Sequence, residues 1–361
     1  MYRQPGPALY VREPGALAKL PQVCSKLAKN PLVVGGEKAL QAASEKINNS
    51  FMSAQQSVPD SILYGGECCE SNIQRVVQAA QSTEADMLIA VGGGKVLDTV
   101  KIAAFRLNIP LVTVPTIASN CAPWTPLSIL YDNNGKFLEM CFEAAMPEAI
   151  FVDPEIVAEA PVRYLIAGMG DTLSKWYETE ISTQNKFGSA VIGLAKASAH
   201  LCYQTIIETG QQAIEAVNQQ LVKPELEEVI DAIILLSGTV SCMGGDDCRT
   251  AAAHAIYSGL TGVHDIHEKS LHGEMVAFGI LVQLVLDNKE QEAIKLAKHY
   301  RNLFLPCNLA ELGLLNCTEG DLTTIIEGTL ATDDIKNMPY EVTAVMLKEA
   351  IISADLLGQK I

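Results

Sequence analysis

Basic residues are scarce in this 361-residue chain, and their scarcity excludes whole classes of function. Lys and Arg number 26 against 42 Asp and Glu, a formal net charge of −16. That balance repels phosphate backbones and anionic lipid surfaces, so neither nucleic acid nor a membrane is an expected partner. No run of Lys and Arg builds a local exception. Long apolar runs are missing as well. The most apolar window, Met275 to Leu286, is too short to span a bilayer and carries Gln283. The stretch Met1-Tyr2-Arg3-Gln4-Pro5 lacks the apolar segment of a signal peptide. Ten cysteines are present, but no CxxC pair: Cys68 and Cys69 are adjacent and the rest are scattered. This spacing argues against a zinc ribbon or a disulfide framework and fits reduced thiols in a cytoplasmic protein. Aromatics are few, at 6%, yet hydrophobic residues reach 48%, the composition of an ordinary globular α/β protein.

The first part of the chain alternates strand and helix signals. Leu32 to Val34, Ile62 to Tyr64, Met87 to Val91 and Leu111 to Val114 read as short buried strands, with helical periods such as Ala16 to Leu27 and Asn72 to Ala80 between them. Such alternation implies a parallel sheet covered on both faces. Leu127 to Tyr131, Asn133-Asn134-Gly135 and Phe137-Leu138 suggest a hairpin with an Asn-Gly turn. From about Val162 onward helical patterns dominate: Tyr164 to Ile181, Ser189 to Ile207, Leu226 to Met243, Met275 to Asp287 and Gln291 to Leu303. The expected organisation is a nucleotide-type α/β domain over residues 1–155 and an all-helical domain over 160–361, with a ligand cleft where they meet.

Chemistry concentrates in two places. Val91-Gly92-Gly93-Gly94-Lys95-Val96-Leu97-Asp98 joins a buried strand to a helix. Glycines there let backbone approach a ligand closely, and the helix start offers free N–H groups and a positive dipole end to an anion such as a pyrophosphate. The stretch is not GxGxxG, so it suggests phosphate binding without naming the ligand. In the helical half, Asp171, His254 and His272 form a catalytic type of set for zinc or another divalent ion: two imidazoles, one carboxylate and an open position. Spacing alone leaves other assignments open. Asp171, at or just inside a helix start, can be a cap; a histidine among alanines is commonly a core residue; and His264 and His267 lie between the pair.

With those residues located, the chain resembles a glycerol dehydrogenase-type member of the iron-containing (group III) alcohol dehydrogenase superfamily, with a hydroxycarboxylate dehydrogenase branch as one placement. The matching stretches are Gly65-Gly66-Glu67-Cys68, Gly92-Gly93-Gly94-Lys95 with Leu97-Asp98-Thr99, Val114-Pro115-Thr116-Ile117-Ala118-Ser119, Gly170-Asp171-Thr172-Leu173, Ala251-Ala252-Ala253-His254-Ala255 and His272-Gly273-Glu274-Met275. They fall in the family's order along most of the chain.

The resemblance implies a Rossmann-like, dinucleotide-binding N-terminal domain, a helical C-terminal domain in a dehydroquinate synthase-like architecture, a homo-oligomer and a bound metal. By position, Asp171, His254 and His272 match the metal ligands; Lys175 stands where iron-type members carry an additional histidine, which favours the zinc-type branch. Gly93, Gly94, Lys95 and Asp98 match the pyrophosphate turn, and Thr116, Ser119, Thr125, Leu127 and Tyr131 the nicotinamide and ribose positions. Glu37 falls near the acidic residue set against the adenosine ribose, which favours NAD(H) and leaves NADP(H) open.

Cys121 stands where the polyol-oxidising members carry an aspartate, with Trp124 adding bulk nearby. A thiol is a weak hydrogen-bonding group without a carboxylate's charge. The expected activity is therefore metal-dependent, NAD(P)-linked interconversion of a small secondary alcohol and its carbonyl, with a 2-hydroxy or 2-oxo acid favoured over glycerol. A lyase or phosphopolyol dehydrogenase of the same fold would want basic residues near the ligands, where only Lys175, Arg249 and Lys269 stand. A non-catalytic protein that holds NAD and metal is the remaining alternative.

Overall fold

A computed structural model describes residues 5–133, 137–186 and 189–361. The strands are β1 (Leu9–Arg12), β2 (Pro31–Gly35), β3 (Ser61–Leu63), β4 (Met87–Gly92), β5 (Leu111–Pro115), β6 (Ser128–Tyr131), β7 (Phe137–Cys141) and β8 (Ala149–Val152). Six of them form a parallel sheet in the order β1-β8-β5-β4-β2-β3. Its central strands are apolar on both sides because both sides are covered. Val33, Ile89 and Val91 pack under helices α1 (Leu20–Leu27) and α2 (Glu37–Ser53). Their neighbours Leu32, Val34, Leu88 and Ala90 pack under α3 (Glu70–Ser82) and α4 (Gly94–Leu107). Alternation of period two thus feeds two cores from one strand. β1 and β8 carry only four residues each, too short for a strand pattern to stand out.

The chain runs from β2 outward to β3 and then crosses back over β2 to β4. The strand order therefore reverses between β2 and β4, and in open α/β sheets ligands bind at such a reversal, outside the carboxyl ends of the strands. β6 and β7 form a separate antiparallel ladder with an irregularity at Leu130/Tyr131, as the hairpin pattern suggests. Asn134 and Gly135 of the expected turn lie outside the described residues.

Two compact units make up the chain. The sheet-bearing unit runs to Pro161 and also takes in Ala216–Ile230, which corrects the expected assignment of everything after residue 160 to the helical domain. Glu227 of α8 (Pro224–Asp231) pairs with Arg12 of β1 at 2.6 Å, and the same helix buries Leu226 and Val229. α5 (Pro154–Glu159) belongs to this unit as well.

The other unit, Val162–Glu215 with Asp231–Ile361, contains no strand among its described residues. Its helices include α6 (Val162–Ser182), most of α7 (Ala190–Asn218), α9 (Ala252–Leu260), α10 (His264–Lys269), α11 (His272–Leu286), α12 (Glu290–Leu303), α13 (Glu319–Leu330) and α14 (Ala344–Gln359). The single helix expected over Leu226 to Met243 is instead α8 followed by π-helical turns at Ala232–Leu236 and Val240–Gly244. Each wide turn adds a residue while the helix continues, so an apolar periodicity reads straight through it. Among the described residues, no helix is long and apolar enough to cross a membrane.

Candidate active site

In the sheet-bearing unit, three neighbouring strands deliver the expected cofactor residues to one edge. Gly35 of β2 lies opposite Val91 of β4, and Gly92 lies opposite Pro115 of β5. Glu37, Gly93 and Thr116 therefore leave the sheet side by side, at the strand-order reversal. Gly92 has φ +144°, a conformation closed to other residues, and a Cβ there would strike the Val96 side chain. The next two residues open α4: Gly93 is its N-cap, with no side chain capping the helix, and Gly94 is its first residue. The first-turn N–H groups are thus left to an outside acceptor, and the dipole end favours an anion. Glu37 is exposed on the first turn of α2.

The remaining positions divide into open and engaged groups. Lys95 is exposed; its Nζ lies 2.6 Å from Glu67 and 5.9 Å from the Tyr131 ring centroid. Ser119 and Cys121 are half-buried, whereas Thr116 and Thr125 are buried. Asp98 turns inward: its carboxylate accepts the Ile129 N–H at 3.0 Å and pairs with Lys101 at 2.7 Å. Burial raises the Asp98 carboxyl above its ordinary range, against the pull of Lys101. Lys101 is itself fully buried and donates to the carbonyls of Ala122, Thr125 and Leu127. This pair ties α4 to the segment carrying Cys121 through Tyr131. Sequence reading missed Lys101, whose position among Val100, Ile102 and Ala103 was the available signal. Trp124, expected to add bulk beside Cys121, is instead 8% exposed and packs edge-on to Tyr10 at 5.8 Å.

In the helical unit, Asp171, His254 and His272 come together from three helices, their ligand atoms all within 4.8 Å of one another. Asp171 sits in the middle of α6, which corrects the expectation of a helix start and removes the capping alternative. His272 is the first residue of α11. The crossing of α6 and α11 is made at glycine: a Cβ at Gly273 would land on the Ala167 carbonyl oxygen. Gln283 of α11 then holds the third element, accepting the Ala253 N–H at 3.0 Å and donating to the Tyr177 carbonyl at 3.0 Å. His254 follows Ala253 directly. His264 and His267, spacing alternatives in sequence, lie on α10 and are not part of the cluster.

Behind His254 stands Glu178, fully buried two turns beyond Asp171 on α6. Its Oε2 lies 2.6 Å from His254 Nδ1, and its Oε1 accepts the N–H groups of Ala251 at 2.7 Å and His254 at 2.9 Å. One carboxylate thus caps α9 and holds a proton on Nδ1, which makes Nε2, 3.4 Å from Asp171, the nitrogen available to an ion. His272 Nε2 is 3.6 Å from the same Asp171 oxygen. Ligand atoms around a four-coordinate zinc ion with bonds of about 2.1 Å stand about 3.4 Å apart, so the donor set fits such an ion. Sequence reading missed Glu178 because a helical glutamate usually faces solvent; its place seven residues after Asp171, on the same helix face, was the usable signal.

The charges are strongly coupled. Burial alone would raise the Asp171 carboxyl, but the Lys175 ammonium and hydrogen bonds from His254 and His272 hold it well below the usual carboxylate range. Burial opposes a charged His254, yet Glu178, against the opposing charge of Lys175, carries its pKa up to about 9 with help from Asp171. Burial likewise opposes an ionised Glu178, and His254 then Lys175 outweigh it, holding its carboxyl below the usual range.

The chain as a whole is similar to known proteins. Residues 7–154 match the model of the iron-containing alcohol dehydrogenase family. A glycerol dehydrogenase of Thermotoga maritima is 37% identical over 98% of this chain and 96% of its own length. Hydroxycarboxylate dehydrogenase A of Escherichia coli is 35% identical over 96% of this chain and 95% of its own. A crystal structure described as a probable glycerol dehydrogenase from Sinorhizobium meliloti superposes with a TM-score of 0.88 at 32% identity, covering 99% of this chain and 98% of that one. The chain belongs to the glycerol dehydrogenase-type branch of the iron-containing alcohol dehydrogenase superfamily and is an oxidoreductase of alcohol groups.

Proposed function

We propose that this enzyme interconverts a small secondary alcohol and its carbonyl, using NAD(H) and a divalent ion of the zinc type, with a 2-hydroxy or 2-oxo carboxylic acid as its substrate. The observation that carries the reading is the convergence of Asp171 and the Nε2 atoms of His254 and His272, with the His254 tautomer assigned by Glu178. A bound divalent ion supplies Lewis acidity at the substrate oxygen. A bound nicotinamide cofactor supplies or accepts the hydride.

The protein's own part is to prepare the two binding sites. Glu178 keeps the Nδ1 proton of His254 in place, so that Nε2 is the nitrogen that would yield its proton and take the ion. The open first turn of α4 receives the pyrophosphate, and Glu37 at the reversal point accepts hydrogen bonds from free ribose hydroxyls while repelling a 2′-phosphate. Ten cysteines without a disulfide support a reducing, cytoplasmic setting.

For the substrate, Cys121 supports the acid. A carboxylate there would reach for polyol hydroxyls and repel an anion, and the thiol does neither. The names of the relatives support glycerol instead, since those named glycerol dehydrogenase, the Thermotoga maritima protein among them, outnumber the hydroxycarboxylate dehydrogenase. A screen of purified protein with NADH and NADPH, over small 2-oxo acids, dihydroxyacetone and simple aldehydes, separates the two. Turnover of 2-oxo acids above dihydroxyacetone, lost on chelation and restored by Zn2+, is the expected result. Preference for dihydroxyacetone overturns the acid reading, and full activity after complete metal removal overturns the metal.

A further inference from the structure

We propose that Lys175 is a resident cation of the Asp171 site, balancing the carboxylate in the metal-free protein and lowering its affinity for a divalent ion. The inference rests on reading the cluster as a metal site. Lys175 lies one turn beyond Asp171 on α6, and each side chain is 4% exposed. Its Nζ is 3.3 Å from Asp171 Oδ1, the same oxygen that faces His254 Nε2 at 3.4 Å and His272 Nε2 at 3.6 Å. Three nitrogens therefore converge on one buried oxygen.

They are not equivalent. A neutral imidazole offers a lone pair to an ion, whereas an ammonium has none and carries a full charge. An isolated carboxylate is costly to bury, and Lys175 offsets that cost before any ion arrives. Once an ion is bound to Asp171, the same ammonium competes for the oxygen lone pairs and repels the incoming charge. The Glu178 charge offsets part of this, but both its oxygens are engaged by His254 and the start of α9, and the ammonium stays at Asp171 Oδ1. Lysine at this point trades metal affinity for a metal-free site that holds its shape.

The test is Zn2+ binding to chelator-stripped protein, by competition with a chromophoric chelator, in wild type, Lys175→Met and Lys175→Thr, with melting curves run with and without Zn2+. Both variants should bind Zn2+ at least tenfold more tightly than wild type. Without metal both should melt below wild type, and saturating Zn2+ should close that gap. A variant that folds only with Zn2+ supports the proposal, since the added ion then replaces the missing charge. Folded variants whose Zn2+ affinity is unchanged or weaker overturn it, as do variants that stay unfolded in saturating Zn2+. A wild type that takes up no Zn2+ overturns the metal reading itself, whereas a wild type that binds beside variants that bind no tighter overturns only the role of Lys175.

Discussion

The sheet-bearing unit and the helical unit each present a candidate site, and the two are built in opposite ways. At the carboxyl edge of the sheet, the donors are backbone groups of one continuous segment, Gly92 to Lys95, and the shape follows from glycine conformation. In the helical unit the donors are side chains from α6, α9 and α11, up to 101 residues apart in sequence, brought together by close helix packing. The first kind of site tolerates change around it but not on the segment itself. The second depends on buried partners that never touch an ion, of which Glu178 and Gln283 are the clearest.

The largest effect that sharpens this contrast is expected from Glu178→Gln. An amide has one acceptor oxygen, while Glu178 uses one oxygen for His254 Nδ1 and the other for two backbone N–H groups. One of those sets must be lost, so Zn2+ affinity should fall roughly 10- to 100-fold, with NADH affinity unchanged; titration of both ligands checks it. Gly93→Ala should do the reverse, weakening NADH by about tenfold and leaving Zn2+ binding alone. Its Cβ would stand 2.7 Å from the end of the flexible Ile117 side chain, so the fold should survive and isothermal titration can read the loss. Glu37→Gln is expected to narrow the preference for NADH over NADPH by a few-fold, read from kcat/KM for each cofactor.

The smallest effect concerns pH. In metal-free protein the His254 pKa rises from 6.5 to about 9. A raised folded-state value means that the stabilisation is complete below pH 6.5 and is lost as pH climbs through about 9. Chelator-stripped wild type should therefore lose more melting temperature than His254→Gln between pH 6 and pH 9.5, by about a few degrees; parallel slopes would refute the assignment.

How much of this was legible beforehand differs between the units for the same reason. Central strands such as Met87–Gly92 are apolar without interruption, and a glycine run at a strand end is a local signal, so the sheet and the glycine bend into α4 could be read directly. Asp171, His254 and His272 were nameable through motifs, but nothing local distinguished them from His264 and His267. Glu178 and Lys101 left faint local signals whose meaning comes from helices and loops distant in sequence, and the Gly273 crossing left none. The affiliation of Ala216–Ile230 with the sheet was hidden likewise, since its helical pattern is silent about which core it joins.

The most direct test of the central claim, that Asp171, His254 and His272 together hold the ion on which turnover depends, is metal content and activity of His254→Ala beside wild type. Wild type should carry about one divalent ion per chain, and the folded variant should carry none and lose roughly 10³-fold or more in kcat/KM. A folded, metal-free His254→Ala enzyme that turns over at the wild-type rate would contradict the account.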